Sequence, residues 1–250
     1  MRWTISLLVA VFALSPAPSA SAMELPSMTL GHAASAVRSE TGPARRRHAP
    51  RHRFTLLDES AGTAVRARPA GRVLGTLAGS TPLGTPTWLW AVAFSRNDGW
   101  ARVVLPWRPN GRTGWVRTRG HRVVHTRTWV QADLSRRQVT LMHGSRVVRT
   151  FRAAIGAPDS PTPIGRFSVT DPISTGDPSG PYGWYAFGLS GHQPNLPPGW
   201  TGGDQLAIHG TNDPASIGTR ASAGCLRVSA AALWVLKHAL RPGTPVVIHP

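Results

Sequence analysis

The sequence predicts a mostly β protein with one helix close to its carboxyl end. Short apolar runs, several of them alternating with polar residues, follow one another along most of the chain, and turn-forming residues separate them. Glycine and proline account for 26 and 23 of the 250 residues, a content that suits a strand-dominated chain better than a helical bundle. The hydrophobic fraction of 41% is sufficient for a globular core.

A first group of predicted strands occupies residues 54–125. The apolar runs lie at 63–66, 72–74, 88–94, 100–104 and 114–116. Asn97-Asp98-Gly99 supplies a turn signal between two of these runs. Short strands without helical periodicity predict a small barrel. Its tryptophans fit either the core of such a barrel, which is the more common place for them, or a ligand groove.

Three short motifs in this region resemble bacterial SH3-like domains. They are Val-Arg-x-Arg-Pro at 65–69, Gly-Trp-Ala-Arg-Val at 99–103 and Gly-Trp-Val at 114–116. In that family such modules often bind wall peptides or accompany wall hydrolases. The resemblance therefore implies an SH3-like domain with a role at a cell wall.

A second group of predicted strands occupies residues 126–250. The runs lie at 129–134, 138–143, 146–155, 165–171, 184–189, 205–209 and 246–248, with a Gly/Pro-rich stretch at 172–181. The one convincing helix covers Ser229 to Leu240, because Ser229 is a good N-cap residue and Pro242-Gly243 ends the helical pattern. This half of the chain is also predicted to be mostly β.

Residues 1–22 have the pattern of a signal peptide. Arg2 precedes an apolar run from Ile5 to Leu14, and Ala20-Ser21-Ala22 is a small-residue cleavage site. The apolar run is about half as long as a membrane span, and an uncleaved anchor is the alternative. No later segment is apolar over a sufficient length to span a bilayer. The expected location is outside the cytoplasm, in the cell wall, the periplasmic space or the extracellular medium.

The formal net charge of +17 favours anionic partners. Residues 23–53 lack apolar periodicity and contain a cluster of arginines and histidines, so they are predicted to be a disordered basic linker. This cluster is either a tether to anionic wall polymers or a membrane surface, or simply a solvated tail. Nucleic acid is not expected as a partner, because the chain carries an export signal and no recognised nucleic-acid motif.

Cys225 is the single cysteine, which excludes an internal disulfide and a Cys-rich zinc site. Its thiol is either buried and inert or used in chemistry. A free thiol has a pKa of about 8.5, so a nucleophilic role needs a base to take its proton. His209 is the best candidate, since it ends an apolar strand where pockets form at sheet edges. His209 lies 16 residues before the cysteine, whereas papain-like peptidases have the cysteine before the histidine.

The residues beside the cysteine suit acyl-transfer chemistry. Gly224 would allow close approach of a substrate, and its N–H together with that of Cys225 would stabilise an oxyanion. Arg227 supplies a fixed charge suited to a carboxylate. Taken singly, a histidine at a strand end is usually structural, and a cysteine in a Gly-rich turn is often a packing residue.

The segments His-Gly-Thr-Asn at 209–212 and Ser-x-Gly-Cys-Leu-Arg at 222–227 together resemble the L,D-transpeptidase catalytic domain family, of the YkuD type. Thr-Pro-Ile-Gly-Arg-Phe at 162–167 and the closing segment at 242–248 are similar to two further motifs of that family. The four segments agree in order, and the resemblance covers residues 126–250.

The resemblance implies a β-sandwich with the cysteine at the mouth of a groove. Cys225 would attack the carbonyl between meso-diaminopimelate and the terminal D-Ala of a peptidoglycan tetrapeptide, and the amine of a second stem would resolve the thioester into a cross-link. His209 would be the base, oriented by the carbonyl of Gly210. Arg227 and Ser222 would position the donor stem peptide, and Gly224 would lie beside it. No metal and no organic cofactor is implied.

One position departs from the family, since many members carry histidine where this chain has Ala223. That departure affects the substrate contacts and leaves the Cys–His pair in place. An L,D-carboxypeptidase would use the same site with water as acceptor. A sortase also places histidine before cysteine, but with wider spacings. A non-catalytic wall-binding protein is the fourth interpretation.

The Gly/Pro-rich part of the second region contains further polar and aromatic side chains. Tyr182, Trp184, Tyr185 and His192 fit a lid over the groove or a plain surface loop equally well. Zinc binding by His192 and His209 is disfavoured, because no third ligand follows at a suitable spacing.

Overall fold

Seventeen strands and one α-helix form the regular structure of residues 52–59 and 62–250, the part of the chain that the computed structural model describes. The predicted signal peptide at 1–22 and nearly all of the predicted linker at 23–53 lie outside the described residues. No helix among the described residues has the length and apolar character of a membrane span. The prediction of a mostly β protein with one helix is confirmed.

The first seven strands form one antiparallel sheet in the order β3-β2-β6-β5-β4-β1-β7. They are β1 (Phe54–Glu59), β2 (Thr63–Arg66), β3 (Val73–Leu77), β4 (Thr87–Phe94), β5 (Trp100–Val104), β6 (Thr113–Arg117) and β7 (Arg122–Thr126). Alternate residues of these strands point to an apolar cluster that includes Leu57, Val65 and Val103, each fully buried. The SH3-like assignment of residues 54–125 stays a prediction.

The tryptophans of the first sheet divide between the core and the surface. Trp90 is buried, whereas Trp88, Trp100, Trp107 and Trp115 are half-buried. Arginine side chains cover three of these rings, with Arg66 and Arg117 over Trp100, Arg112 over Trp107 and Arg122 over Trp88. Trp90 is therefore a core residue, Trp88 and Trp107 pack against the apolar clusters from half-buried positions, and Trp100 lies beneath two arginine side chains.

The second sheet has eight strands in the order β10-β9-β8-β17-β12-β13-β14-β16. Its strands, with the two-stranded pair β11–β15, are β8 (Thr128–Asp133), β9 (Gln138–His143), β10 (Arg146–Arg152), β11 (Ile155–Gly156), β12 (Gly165–Ser174), β13 (Tyr185–His192), β14 (Gln205–His209), β15 (Arg220–Ser222), β16 (Leu226–Arg227) and β17 (Pro245–His249). Neighbouring strands of the sheet are antiparallel except for β8 with β17 and β14 with β16, which are parallel.

Strand β12 joins the two halves of this sheet into a sandwich. Its first residues, 165–168, pair with β17, and from Val169 onward it pairs with β13. A register shift between Val169 and Asp171 accompanies this change of partner. The apolar faces of the two halves, with the buried side of the helix, then enclose a common core that includes Phe167, Phe187 and Leu233.

The helix α1 (Ala230–Ala239) begins where the sequence predicts. The Ser229 side chain accepts a hydrogen bond from the Ala232 N–H, as an N-cap residue does. Leu233 and Leu236 are fully buried on the side that faces the sandwich. The chain leaves the helix at Leu240, shortly before Pro242-Gly243.

Strand β12 is longer than predicted and extends into the Gly/Pro-rich stretch as far as Ser174. Pro172 pairs with Phe187 of β13. Beyond Val169 the strand has a ladder partner on one side only, and an edge of this kind tolerates a residue without an N–H. The proline therefore does not end the strand.

The two sheets contact each other through a small apolar cluster. Leu56, Trp90 and Val104 of the first sheet are buried in it, and Val247 of β17 packs against them. Gly243 approaches the first sheet so closely that a Cβ there would lie 2.8 Å from the Cβ of Trp88. The described residues from 52 onward belong to one unit of the chain.

Candidate active site

The candidate site lies on the last two strands of the second sheet. In the parallel pair β14–β16, His209 is the register partner of Arg227, and Ile208 is the partner of Leu226. Ile208 and Leu226 point into the core and are fully buried. Because side chains alternate along a strand, His209 and Arg227 lie on the opposite face, and Cys225, two residues before Arg227, lies there too. The sheet thus brings thiol, imidazole and guanidinium to one surface.

These side chains line a cavity of about 260 Å³. One wall comes from β14 and the cysteine loop, residues 222–225, and the facing wall comes from Pro181, Tyr182 and the segment between β13 and β14, here called the 193–204 segment. The predicted site residues Cys225, His209, Arg227 and Ser222 all line this cavity. Gly210 and Gly224 take part through their backbones.

His209 has one defined tautomer. Its Nδ1 lies 2.6 Å from the carbonyl oxygen of Gly210, and since a carbonyl only accepts, Nδ1 carries the proton. The lone pair then resides on Nε2, the atom available to accept a proton. The ring of Tyr182 packs edge-on against the imidazole, with centroids 4.9 Å apart. The side chain is therefore held in one orientation.

Burial keeps the His209 imidazole neutral. The residue is 3% exposed. Burial lowers the pKa of His209 to about 4, the charge of Arg227 acts in the same direction, and the hydrogen bond to Gly210 opposes both. At neutral pH the ring is thus an unprotonated base.

Cys225 is half-buried in the cavity wall. Burial raises the pKa of its thiol, while a hydrogen bond from the Ala207 backbone and the charge of Arg227 act against the rise. Its Sγ lies 4.0 Å from the carbonyl oxygen of Gln205. The thiol and the imidazole that line this cavity are consequently both uncharged at neutral pH.

Arg227 has an unused donor at this site. Its Nε is buried and lacks a hydrogen-bond partner among the described residues. A buried guanidinium N–H without an acceptor is costly. Arg227 also lines the cavity, and its positive charge acts on both His209 and Cys225.

Ser222 and Gly224 shape the cysteine loop from within. The Ser222 hydroxyl donates to the Cys225 carbonyl oxygen at 2.6 Å and accepts from the Gly224 N–H at 3.1 Å. The expectation that the Gly224 N–H serves as an oxyanion donor is therefore wrong, because this group is already engaged. The N–H of Cys225 stays as the candidate donor.

Sequence reasoning missed Gln193, which lines the same cavity and is 4% exposed. Its amide contacts the backbone of two separate segments around the cysteine. No motif in the sequence indicates such a role, because a glutamine in a Gly/Pro-rich stretch has the composition of an ordinary loop residue. Trp200, whose ring is partly exposed to solvent, was also missed and lines the cavity.

Of the polar and aromatic residues of the Gly/Pro-rich part, Tyr182 lines the cavity, whereas Trp184, Tyr185 and His192 do not. His192 is bound by Asp204 and by the Pro106 carbonyl oxygen. The rings of Trp184 and Tyr185 lie under the ammonium group of Lys237. Within residues 52–59 and 62–250, no group of three or more His, Cys, Asp or Glu side chains is placed to hold a metal ion.

Residues 127–248 match the family model YkuD, described as the L,D-transpeptidase catalytic domain. This part of the chain is similar to the YkuD catalytic domain. The resemblance drawn from the four sequence motifs is confirmed for this part of the chain. Every residue that lines the Cys–His–Arg cavity lies within the matched range.

Two curated relatives are similar to the same part of the chain. The protein named "Putative L,D-transpeptidase YkuD" of Bacillus subtilis is 31% identical over 120 residues, and its namesake in Bacillus licheniformis is 31% identical over 121 residues. Each match covers 48% of this chain and 65% of the relative, so the chain spans slightly less than two thirds of either one.

Solved L,D-transpeptidase structures also align with the chain. One from Mycobacterium smegmatis has 16% identity and a TM-score of 0.42, covering 63% of this chain and 81% of that one. One from Xylanimonas cellulosilytica has 25% identity and a TM-score of 0.37, covering 50% and 61%.

Proposed function

We propose that the protein is a cysteine-dependent L,D-transpeptidase that cross-links peptidoglycan stem peptides, with Cys225 as the nucleophile. One observation carries the proposal: the single cysteine of the chain shares a cavity with a tautomerically fixed, neutral His209 and with an Arg227 that has a free buried donor. The match of residues 127–248 to the YkuD catalytic domain supports the reaction class.

The first half-reaction forms a thioester. As Sγ of Cys225 attacks the carbonyl carbon between diaminopimelate and the terminal D-Ala, Nε2 of His209 accepts the thiol proton. The oxyanion that develops receives a hydrogen bond from the Cys225 N–H. His209 then donates the proton to the departing amine, the C–N bond breaks, and D-Ala leaves.

The second half-reaction regenerates the thiol. The amine of an acceptor stem attacks the thioester carbonyl, and Nε2 of His209 accepts a proton from it. The C–S bond breaks, Cys225 recovers its proton from His209, and a new amide joins the two stems. Arg227 lies two residues from the nucleophile, where its guanidinium contacts a carboxylate or carbonyl of the donor stem.

Mass spectrometry of a defined reaction tests this function. The purified protein is incubated with a disaccharide tetrapeptide that contains meso-diaminopimelate, beside the Cys225→Ala variant. We expect a cross-linked dimer that has lost one D-Ala, formed by the wild type and absent with the variant. A covalent adduct on wild-type protein, with the mass of the donor minus D-Ala, identifies the thioester.

The other outcomes separate the competing functions. Tripeptide without dimer identifies an L,D-carboxypeptidase, in which water resolves the thioester at the same site. Substrate that stays intact with both proteins, while both still sediment with purified wall material, contradicts catalysis and supports a wall-binding protein.

The same proposal includes export and contact with the wall. An export signal at residues 1–22 and the basic cluster within 23–53 would place the catalytic region beside anionic wall polymers or the membrane surface. Donor and acceptor stems are the proposed partners. Fractionation of cells that produce the protein tests this, because a cytoplasmic location would contradict it.

A further inference from the structure

Gln193 occupies the space directly behind the cysteine loop. It follows β13 at the start of the 193–204 segment, is 4% exposed and lines the cavity. Its Oε1 accepts a hydrogen bond from the Asn195 N–H at 3.0 Å, which fixes the orientation of the amide. The NH₂ group therefore points away from the segment to which the residue belongs.

That NH₂ group holds two pieces of backbone together. Its two N–H bonds serve three carbonyl oxygens, so one N–H is shared: Nε2 lies 3.2 and 3.0 Å from those of Ser160 and Pro161 and 3.1 Å from that of Ala223. Ala223 lies two residues before the nucleophile. Buried carbonyls need donors, so the amide satisfies groups that would otherwise be orphaned when the loop adopts this position.

The conformation of Gly224 depends on the same contact. Its φ is +110°, and a Cβ at this position would lie 2.0 Å from Nε2 of Gln193. The glycine expected to make room for substrate thus makes room for the glutamine amide. With Ser222 bonded to both Gly224 and Cys225, every residue of the turn before the nucleophile is fixed.

The first sheet holds Gln193 in turn. Asn110, after β5, donates from Nδ2 to the His192 carbonyl oxygen at 2.6 Å, and its Oδ1 accepts from the His192 N–H at 2.8 Å. The Gln193 N–H donates to the Asp204 carbonyl oxygen at 2.7 Å, and the Asp204 carboxylate is paired with Arg108. Contacts therefore continue from the loop at 106–110 to the cysteine loop.

We propose that Gln193 is a positioning residue for Cys225, and that Asn110 of the first sheet positions Gln193 through His192. This inference deepens the proposed function, and the kinetic test of the inference rests on that function. Without the three amide contacts, the cysteine loop loses its fixed distance from His209. The thiol then becomes more exposed while its alignment with the imidazole is lost.

Two variants of similar size test the role of the amide. Gln193→Glu keeps the shape and replaces the donors by a carboxylate that faces three carbonyl oxygens, and Gln193→Met removes the donors without adding charge. We expect kcat for dimer formation to fall about 100-fold in both, the cost of displacing a reacting group by roughly 1 Å. KM changes far less, because Arg227 and the β14 side of the cavity are unaltered.

Alkylation of Cys225 by iodoacetamide gives a second readout that needs no substrate. Burial raises the thiol pKa in the wild type, so release of the loop is expected to accelerate alkylation at neutral pH and to move its pH profile to lower pH. A residue that merely stabilised the fold would leave both kinetics unchanged well below the unfolding temperature. Turnover and alkylation are thus expected to change in opposite directions.

Asn110→Ala is expected to produce the same two changes at smaller amplitude. Matched controls are Gln131→Glu on β8, whose amide contacts His249 far along the sheet, and Asn97→Ala in an exposed turn of the first sheet. Neither control is expected to alter turnover or alkylation.

The readouts separate failure of this inference from failure of the proposed function. If wild-type protein forms no dimer but the Gln193 variants alkylate faster with a shifted pH profile, positioning holds and the reaction assigned to the site is wrong. If both Gln193 variants match the wild type within twofold in alkylation, Gln193 does not position the nucleophile and the inference is overturned.

Discussion

Burial governs the protonation of Cys225 and His209. The same low-dielectric surroundings that keep His209 unprotonated also keep the Cys225 thiol protonated, so neither carries charge before a substrate binds. The charge of Arg227 disfavours a proton on His209 and favours the thiolate of Cys225. The two groups therefore differ from a preformed thiolate–imidazolium pair, and in the proposed reaction the proton has to move during the attack.

The depressed pKa of His209 predicts a pH-dependent loss of stability. Between its unfolded value of 6.5 and about 4, the unfolded chain binds a proton at this ring and the folded chain does not, so stability falls as the pH falls. The loss from this group amounts to about 3 kcal/mol over that range. The free energy of unfolding, measured with urea at pH 7, 6, 5 and 4, is expected to fall more steeply with decreasing pH in the wild type than in His209→Gln. Parallel slopes would contradict the burial effect.

The crowding at Gly224 predicts a severe effect of one methyl group. Gly224→Ala adds a Cβ 2.0 Å from the Gln193 amide at a φ of +110°. Gly120→Ala is the matched control, because Gly120 also has a positive φ of +94° but a Cβ added there would meet nothing within 4 Å. We expect Gly120→Ala to lower the free energy of unfolding by about 1 kcal/mol because of backbone strain. Gly224→Ala is expected to lower it by more and to abolish turnover. If the two variants had equal effects in thermal unfolding and in the dimer assay, crowding at Gly224 would be contradicted.

Among the residues that line the candidate site, the sequence indicated those with distinctive chemistry and did not indicate Gln193. Cys225, His209 and Arg227 were found because thiol, imidazole and guanidinium occur together in a family motif. Gln193 was not predicted, because its contacts depend on which backbone carbonyl groups the fold brings close to it. Gly224 was singled out as a residue that makes room for a substrate. A sequence cannot distinguish that role from a glycine that is needed for a positive φ beside a close neighbour.

Among the elements, the strands with strong alternation were predicted best. The runs at 63–66, 100–104, 138–143 and 205–209 coincide with β2, β5, β9 and β14. Strand β7 was not assigned, because its residues are largely exposed and only its pairing with β1 makes it a strand. The parallel registers of β14–β16 and β8–β17 join distant segments, and local pattern carries no information on such pairing.

The N-cap of α1 predicts a measurable contribution to stability. Ser229→Ala removes the acceptor for the Ala232 N–H and is expected to lower the free energy of unfolding by about 1 kcal/mol. Ser145→Ala, in an exposed turn between β9 and β10, is the control and is expected to change it by less than about 0.5 kcal/mol. Chemical denaturation measures both, and an equal effect of the two variants would contradict the capping role.

In the whole molecule, the two sheets behave as parts of one structure. Trp90 of the first sheet packs with Val247 of the second where the two sheets meet. The Asn110–His192 and Arg108–Asp204 contacts join the two regions at another place. Composition and periodicity predicted two β regions, but not this contact, because surface complementarity between separate sheets leaves no repeating pattern in a sequence. The predicted boundary between residues 125 and 126 falls inside β7, one residue before that strand ends.

The buried contact predicts that the sheets unfold together. Trp90 is 5% exposed, so Trp90→Ala is expected to cost about 3–5 kcal/mol while leaving one cooperative transition at lower denaturant. Trp234→Ala on α1, where the ring is 61% exposed, is the control and is expected to have little effect. Circular dichroism and tryptophan fluorescence that report two separate transitions would contradict the coupling.

The place of strand β17 sets the order in which this half of the protein can be completed. Residues 245–249 follow every other strand of the second sheet along the chain, yet they lie in its interior, between β8 and β12. A nascent chain that still lacks them has two open strand edges facing each other across a gap. Folding of this half is therefore expected to be completed only after β17 has been synthesised.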